Sequence, residues 1–331
     1  MNKRRFLTTV AATVFAATLL PASVQAQDKT DINFRLDWSI YGSHAPFYLA
    51  LQKGMYSDAG LNVTIGEGQG SATVAQLIAQ GQDQLGFVDF GTMARGVEQG
   101  MPVTAVMRVI SDVMCIISHA DAPITEPKGL EGKVVAFAPS ESTALVFPAL
   151  LASQEVDPAS VSVLNPAFGA KNAMFLQKRA DAIPGNYNVQ VAQLEGQGAE
   201  VEYFRFADFG LRQMNNGIIV NNSFKDANPE ALKAFLEVTA AAFEQATADP
   251  EVAVDALIEV LPEQRRNRDV LLRQLVLTAD SYKTENTQDK PFGWMEAKDW
   301  EDTQHILTEY GGMPRSLPVE QFYTNDFLPE S

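Results

Sequence analysis

Residues 31–66 read DINFRLDWSIYGSHAPFYLALQKGMYSDAGLNVTIG, and the change of hydrophobic period inside this stretch decides the fold. Ile32 to Trp38 reads as a strand. Ser43 can cap a helix whose first turn holds Pro46, and Phe47, Ala50 and Leu51 share one of its faces. Gly54 and Gly60 punctuate the end of that helix, and Leu61 to Ile65 is the next strand. The unit then repeats: Gly66 to Gly70 is a loop, Ser71 to Ala79 a helix, Leu85 to Phe90 a strand and Val103 to Ile110 another. Strands alternating with helices in this way predict an α/β protein with a mostly parallel sheet.

Met114 to His119 is apolar and leads to Pro123, Pro127 and Gly129, which places a crossing to a second lobe there. A second α/β set follows: strand Lys133–Ala138, helix Thr143–Gln154, strand Val161–Leu164 and helix Ala170–Lys178. Ala182-Ile183 starts a strand that runs into a loop over Pro184–Asn188, and Val201–Phe206 is a further strand. Gly217 to Asn221 reads as the return crossing. Helices opened by Asn228-Pro229, Asp249-Pro250 and Pro262 complete the chain. The expected division is lobe 1 over 27–115 and 218–331, and lobe 2 over 116–217.

The first 26 residues read as an export signal. Lys3, Arg4 and Arg5 precede a largely apolar run from Phe6 to Leu20, and Val24-Gln25-Ala26 supplies a small-residue cleavage site. The apolar run is shorter than the roughly 20 residues a membrane span needs. Cleavage after Ala26 would remove three basic residues and shift the net charge from -16 to -19. The expected location is therefore the periplasm, without membrane insertion. An acidic chain of this charge also lacks the basic face that nucleic acid requires.

Catalytic patterns are thin. His44, His119 and His305 are scattered, Cys115 is the sole cysteine, and neither an H-E-x-x-H nor a G-x-S-x-G pattern occurs. We expect no catalytic residue, no metal and no cofactor, with Cys115 serving as a small buried hydrophobe. Four segments instead read as a ligand cleft, each where a strand hands over to a helix or loop. They are Leu36–His44, with Asp37, Trp38, Tyr41 and His44; Gly68–Ser71, with Gly70 and Ser71; Pro139–Thr143, with Ser140, Ser142 and Thr143; and Ile183–Gln190, with Asn186, Tyr187, Asn188 and Gln190. Each can equally be read as a hydrated loop or a plain helix cap. Aromatic rings beside several amides suit a flat heterocycle with donors and acceptors on its edge.

The same segments, taken in order, resemble a known family. Leu36-Asp37-Trp38, His44–Ala50, Lys53–Tyr56 and Gly60–Val63 resemble the opening of the thiamine-precursor-type (no-message-in-thiamine) solute-binding proteins. Gly68-x-Gly70-Ser71, Phe87-Val88-Asp89, Lys128–Lys133, Gly293-Trp294-Met295 and Tyr323–Leu328 fit as well, so the resemblance spans nearly all of the chain after the signal. It implies a two-lobed type II periplasmic binding protein fold with a helical C-terminal region, and it adds Asp89 to the candidate site. It also implies delivery of a small molecule to the permease and ATPase of an ABC importer, and a receptor that must hinge is expected to act as a monomer. Members take formylaminopyrimidine, riboflavin, taurine and other sulfonates, or nitrate. Asp37-Trp38 with Asn186–Gln190 looks most like the pyrimidine-precursor branch, although that branch carries Glu where Gln190 stands. Some eukaryotic relatives are pyridoxal-phosphate-dependent pyrimidine synthases. His44 matches their motif histidine, but their cysteine-rich motif has no counterpart here.

Overall fold

The computed structural model describes residues 29–138, 141–167 and 170–329. The export signal with its cleavage site at Ala26, and Ser140 of the third segment, lie outside the described residues.

Two five-stranded sheets organise the chain. The first contains β1 (Thr30–Arg35), β2 (Leu61–Gly66), β3 (Leu85–Asp89), β4 (Val103–Arg108) and β10 (Asn216–Asn221), in the order β2-β1-β3-β10-β4. The second contains β5 (Met114–His119), β6 (Val134–Ala136), β7 (Ser162–Leu164), β8 (Ala182–Asn186) and β9 (Val201–Arg205), in the order β7-β6-β8-β5-β9. Helices α1 (Ala45–Gln52), α2 (Met55–Asp58), α3 (Ser71–Ala79) and α4 (Phe90–Glu98) belong to the first half of the chain. Helices α5 (Ser142–Ser153), α6 (Lys171–Leu176) and α7 (Ala192–Glu195) accompany the second sheet. The C-terminal region holds α8 (Asn222–Ala227), α9 (Pro229–Ala248), α10 (Pro250–Val260), α11 (Arg268–Ala279) and α12 (Ala297–Glu309).

Burial explains where strands form. In β1 Ile32 and Phe34 are buried while Asp31 and Asn33 face solvent, the alternation of a strand covered on one side. β3 and β10 are buried along their whole length, as central strands should be. Phe34 packs edge-on against Phe47 of α1 at 4.8 Å and Phe235 of α9 at 5.3 Å, which fastens β1 to the C-terminal helices. Each fully buried ring of this kind stabilises the fold by about 1.5–3 kcal/mol relative to exposure.

The sheets themselves are mostly parallel, as expected, each with a single antiparallel strand among the described residues: β10 between β3 and β4, and β5 between β8 and β9. Several other expectations do require correction: Met114–His119 and Gly217–Asn221 are core strands rather than crossings, since largely apolar runs buried at almost every position fit a central place in a sheet. The crossings lie just outside them, at 109–113 and 211–215. They run side by side, with the Asp112 N–H donating to Gln213 O at 3.1 Å and the Asn215 N–H to Ile110 O at 2.9 Å. β1 stops at Arg35, three residues before Trp38. Ser43 does not cap α1; its hydroxyl is buried against Thr278 Oγ1 at 2.7 Å. The expected loop at Pro184–Asn188 is the end of β8 followed by one π-helical turn, Tyr187–Val191.

Sequence reasoning also missed Arg108, which is wholly buried beside the crossings. Its guanidinium donates to Tyr282 O at 2.8 Å, Thr287 Oγ1 at 3.2 Å and Ser111 Oγ at 3.2 Å. Burial lowers its pKa to about 10, with Asp299 and Asp112 opposing the shift.

Candidate functional site

A cavity of about 1090 Å³ opens between the two sheets. A second cavity, about 120 Å³ behind the crossings, is well below the roughly 300–1,000 Å³ of ligand pockets.

The first-sheet wall begins where β1 ends. Asp37, Trp38 and Tyr41 line the cavity. The Asp37 carboxylate accepts from Tyr41 OH at 3.1 Å, His44 Nε2 at 2.9 Å and Asn216 Nδ2 at 2.9 Å. Burial, followed by the Asp37 charge, holds the Tyr41 phenol well above its ordinary pKa, so it stays a donor. His44 is wholly buried behind Asp37 and is not in the lining.

Gly68 and Gly70 are required by geometry. A side chain at Gly68 would strike Leu36 O at 2.0 Å, and Gly70 has φ +109°, where side chains are strained. The Gly70 N–H donates to Asp37 O at 2.8 Å, so this loop is stapled to the Asp37–Trp38 segment. Gly70 and Ser71 line the cavity at the start of α3, but the Ser71 hydroxyl already accepts from the Asp89 N–H at 3.0 Å. Asp89 itself is not in the lining. It caps α4 by accepting from Thr92 N at 2.8 Å and Thr92 Oγ1 at 3.0 Å, and burial pushes its carboxyl up to about 6.

The second-sheet wall is built by α5, α6 and the end of β8. Ser142 and Thr143 line it from the first turn of α5, and Thr143 Oγ1 is buried without a hydrogen-bond partner among the described residues. Asn186 Oδ1 is likewise unpartnered, and the Asn186 N–H donates to Gln190 Oε1 at 2.7 Å. Asn186 and Gln190 line the cavity, whereas Tyr187 and Asn188 do not. Tyr187 points away and stacks on Tyr203 at 5.6 Å, and burial raises its phenol to about 12. Asn188 donates to Thr278 Oγ1 of α11 at 3.0 Å. The π-helical turn is the reason: it separates neighbours that an open loop would have presented together.

Sequence reading missed Lys171 and Asn172 in the lining. Lys171 pairs with Glu141 and donates to Pro184 O at 2.9 Å, while Asn172 Oδ1 has no partner. They open α6 just after β7, so the strand-end rule that found the other segments could have found these. Arg95, inside α4, also lines the cavity and carried no such signal. Cys115 is buried in β5 with its thiol donating to Gly185 O at 3.4 Å, and burial pushes its pKa far up. Among the described residues no group of three or more His, Cys, Asp or Glu could hold a metal ion. No helix among them is long and apolar enough to cross a membrane.

Two hydrogen-bonded α/β halves around one cleft define the type II periplasmic binding protein fold. The E. coli periplasmic aliphatic sulphonate binding protein SsuA has this fold: it superposes with a TM-score of 0.70 at 13% identity, covering 92% of this chain and 94% of that one. Residues 42–253 match the NMT1/THI5 like family, and the chain belongs to that family. Among its relatives is the riboflavin-binding protein RibY of Chloroflexus aurantiacus, 26% identical over 86% of this chain and 82% of that protein. The formylaminopyrimidine-binding protein of Halalkalibacterium halodurans is 22% identical over 93% and 96%. A 4-amino-5-hydroxymethyl-2-methylpyrimidine phosphate synthase of Legionella pneumophila is also 22% identical, over 92% and 94%.

Proposed function

We propose that the protein is a periplasmic receptor that captures a small aromatic heterocycle, a thiamine pyrimidine precursor, and delivers it to the permease and ATPase of an ABC importer. One observation carries the ligand class. Trp38 lines a cavity whose opposite wall holds three buried polar atoms without partners among the described residues, Thr143 Oγ1, Asn172 Oδ1 and Asn186 Oδ1. Buried polar atoms are normally hydrogen-bonded, so a ligand with ring faces and edge donors fits what this wall lacks. The formylaminopyrimidine-binding and riboflavin-binding relatives support the same class.

Contacts from both walls would favour a closed state, with the two sheets as hinged lobes and the paired crossings as hinge. Export with cleavage after Ala26 and a monomeric state belong to this reading. Mass spectrometry of the exported protein and its sedimentation check them. Calorimetry against pyrimidines, flavins, sulfonates and nitrate tests the ligand. Tight binding of an aliphatic sulfonate with silence toward every heterocycle would remove the heterocycle and keep the receptor.

The synthase relative carries a second reading, a pyridoxal-phosphate-dependent enzyme. The enclosed position of His44 behind Asp37 favours the receptor instead. An absorption band of a bound internal aldimine in the purified protein would reverse that preference.

A further inference from the structure

The cavity, about 1090 Å³ in the open arrangement, extends beyond the Asp37–Tyr41 segment. Part of its wall comes from α3 and α4, through Gln76, Thr92 and Arg95, and from Gln99 just past the end of α4. Among the described residues, four charged side chains line the cavity: Asp37, Arg95, Glu141 and Lys171. Three of these are engaged. Asp37 accepts from Tyr41, His44 and Asn216, and Glu141 is paired with Lys171.

Arg95 differs. The residue is half-buried, and its guanidinium has no hydrogen-bond or ion-pair partner among the described residues. Glu98, the acid within helical reach, is held by Arg315 at 3.1 Å. Arg95 also sits in the last turn of α4, where a cation complements the helix dipole. That role would be served as well by a side chain turned to solvent. A guanidinium facing a cavity presents a fork of donors matched to an oxyanion.

We infer that the ligand is a heterocycle bearing an oxyanion substituent, with the ring against Trp38 and the amides and the oxyanion on Arg95. The inference rests on the receptor reading above and narrows its ligand class. It accounts for the cation in the wall that has no partner among the described residues.

Calorimetry on the full chain with matched pairs tests it. The pairs are riboflavin against riboflavin 5′-phosphate, 4-amino-5-hydroxymethyl-2-methylpyrimidine against its phosphate, and uracil against orotate. The anionic member of at least one pair is expected to bind roughly tenfold or more tighter, which corresponds to about 1.4 kcal/mol, and to weaken as salt rises. The pair that responds identifies the oxyanion as phosphate or carboxylate. In Arg95→Gln the two members should bind within about threefold of each other, and Arg95→Lys should retain part of the preference. A preference that survives Arg95→Gln, or a neutral member that wins in the wild type, overturns the role of Arg95. Silence toward all six compounds with binding of an aliphatic sulfonate that Arg95→Gln weakens would sink the heterocycle and uphold the oxyanion. Silence toward the sulfonate as well overturns both readings.

Discussion

His44 Nε2 and Asp37 Oδ1 lie 2.9 Å apart at the end of β1, and the direction of that bond is set locally. The Tyr41 amide N–H donates to His44 Nδ1 at 3.4 Å, which leaves Nε2 to carry the proton toward Asp37. Asp37 is therefore both a wall of the cavity and the acceptor on which three neighbours depend.

Asp37→Ala should consequently lose stability as well as affinity. It strands the Tyr41, His44 and Asn216 donors, and unsatisfied buried groups cost about 1–3 kcal/mol each before relaxation. We expect a loss on the order of 2–4 kcal/mol in the unliganded protein, together with tenfold or weaker binding. Thermal melting of the ligand-free variant decides the matter; an unchanged melting temperature would show that Asp37 acts on the ligand alone.

Asn186 and Asn188 should separate binding from folding. Asn186→Ala removes a cavity atom that has no protein partner, so affinity should fall about tenfold with stability almost unchanged. Asn188→Ala breaks the bond to Thr278 and should cost roughly 1–2 kcal/mol of stability, with less effect on binding. The reverse ranking in paired melting and calorimetry experiments would contradict this placement.

Lys171 and Glu141 form a buried pair at the cavity wall, with little of either side chain exposed. Lys171→Met leaves the carboxylate uncompensated and should destabilise by about 3–5 kcal/mol. The double variant Lys171→Met, Glu141→Gln should recover most of that loss. Urea unfolding of the three proteins measures the coupling.

Asp89 makes stability depend on pH in an unusual direction for a carboxylate. Its folded pKa is raised from 3.8 to about 6, so the folded chain holds a proton that the unfolded chain releases. This contribution is complete below about pH 4 and lost as pH rises through about 6, a difference on the order of 3 kcal/mol. Asp89→Asn should flatten that part of the stability curve and exceed the wild type above pH 7. Denaturant midpoints at pH 4.5, 6 and 8 provide the comparison.

The α/β character and the stretches at strand ends were legible in the sequence, because period and punctuation are local; α4 and the place of β5 and β10 inside the sheets were not. Ile32 and Phe34 alternate with Asp31 and Asn33 whatever surrounds them, and Gly70 marks a tight turn on its own. Lys171 and Asn172 were legible in principle by the same rule.

Tertiary structure alone decided which side chains of those stretches meet. Whether Met114–His119 crosses between lobes or pairs inside a sheet depends on β8 and β9, more than 60 residues away in the chain. Asp37 turns toward Asn216, Ser43 and Asn188 turn toward Thr278, and Tyr187 turns toward Tyr203, each because of a partner supplied by a distant element. Local pattern sets the backbone state, since it follows from each residue's own sterics and burial period. The direction of a polar side chain follows from where its hydrogen bond can be satisfied, and those partners exist only once the chain has folded.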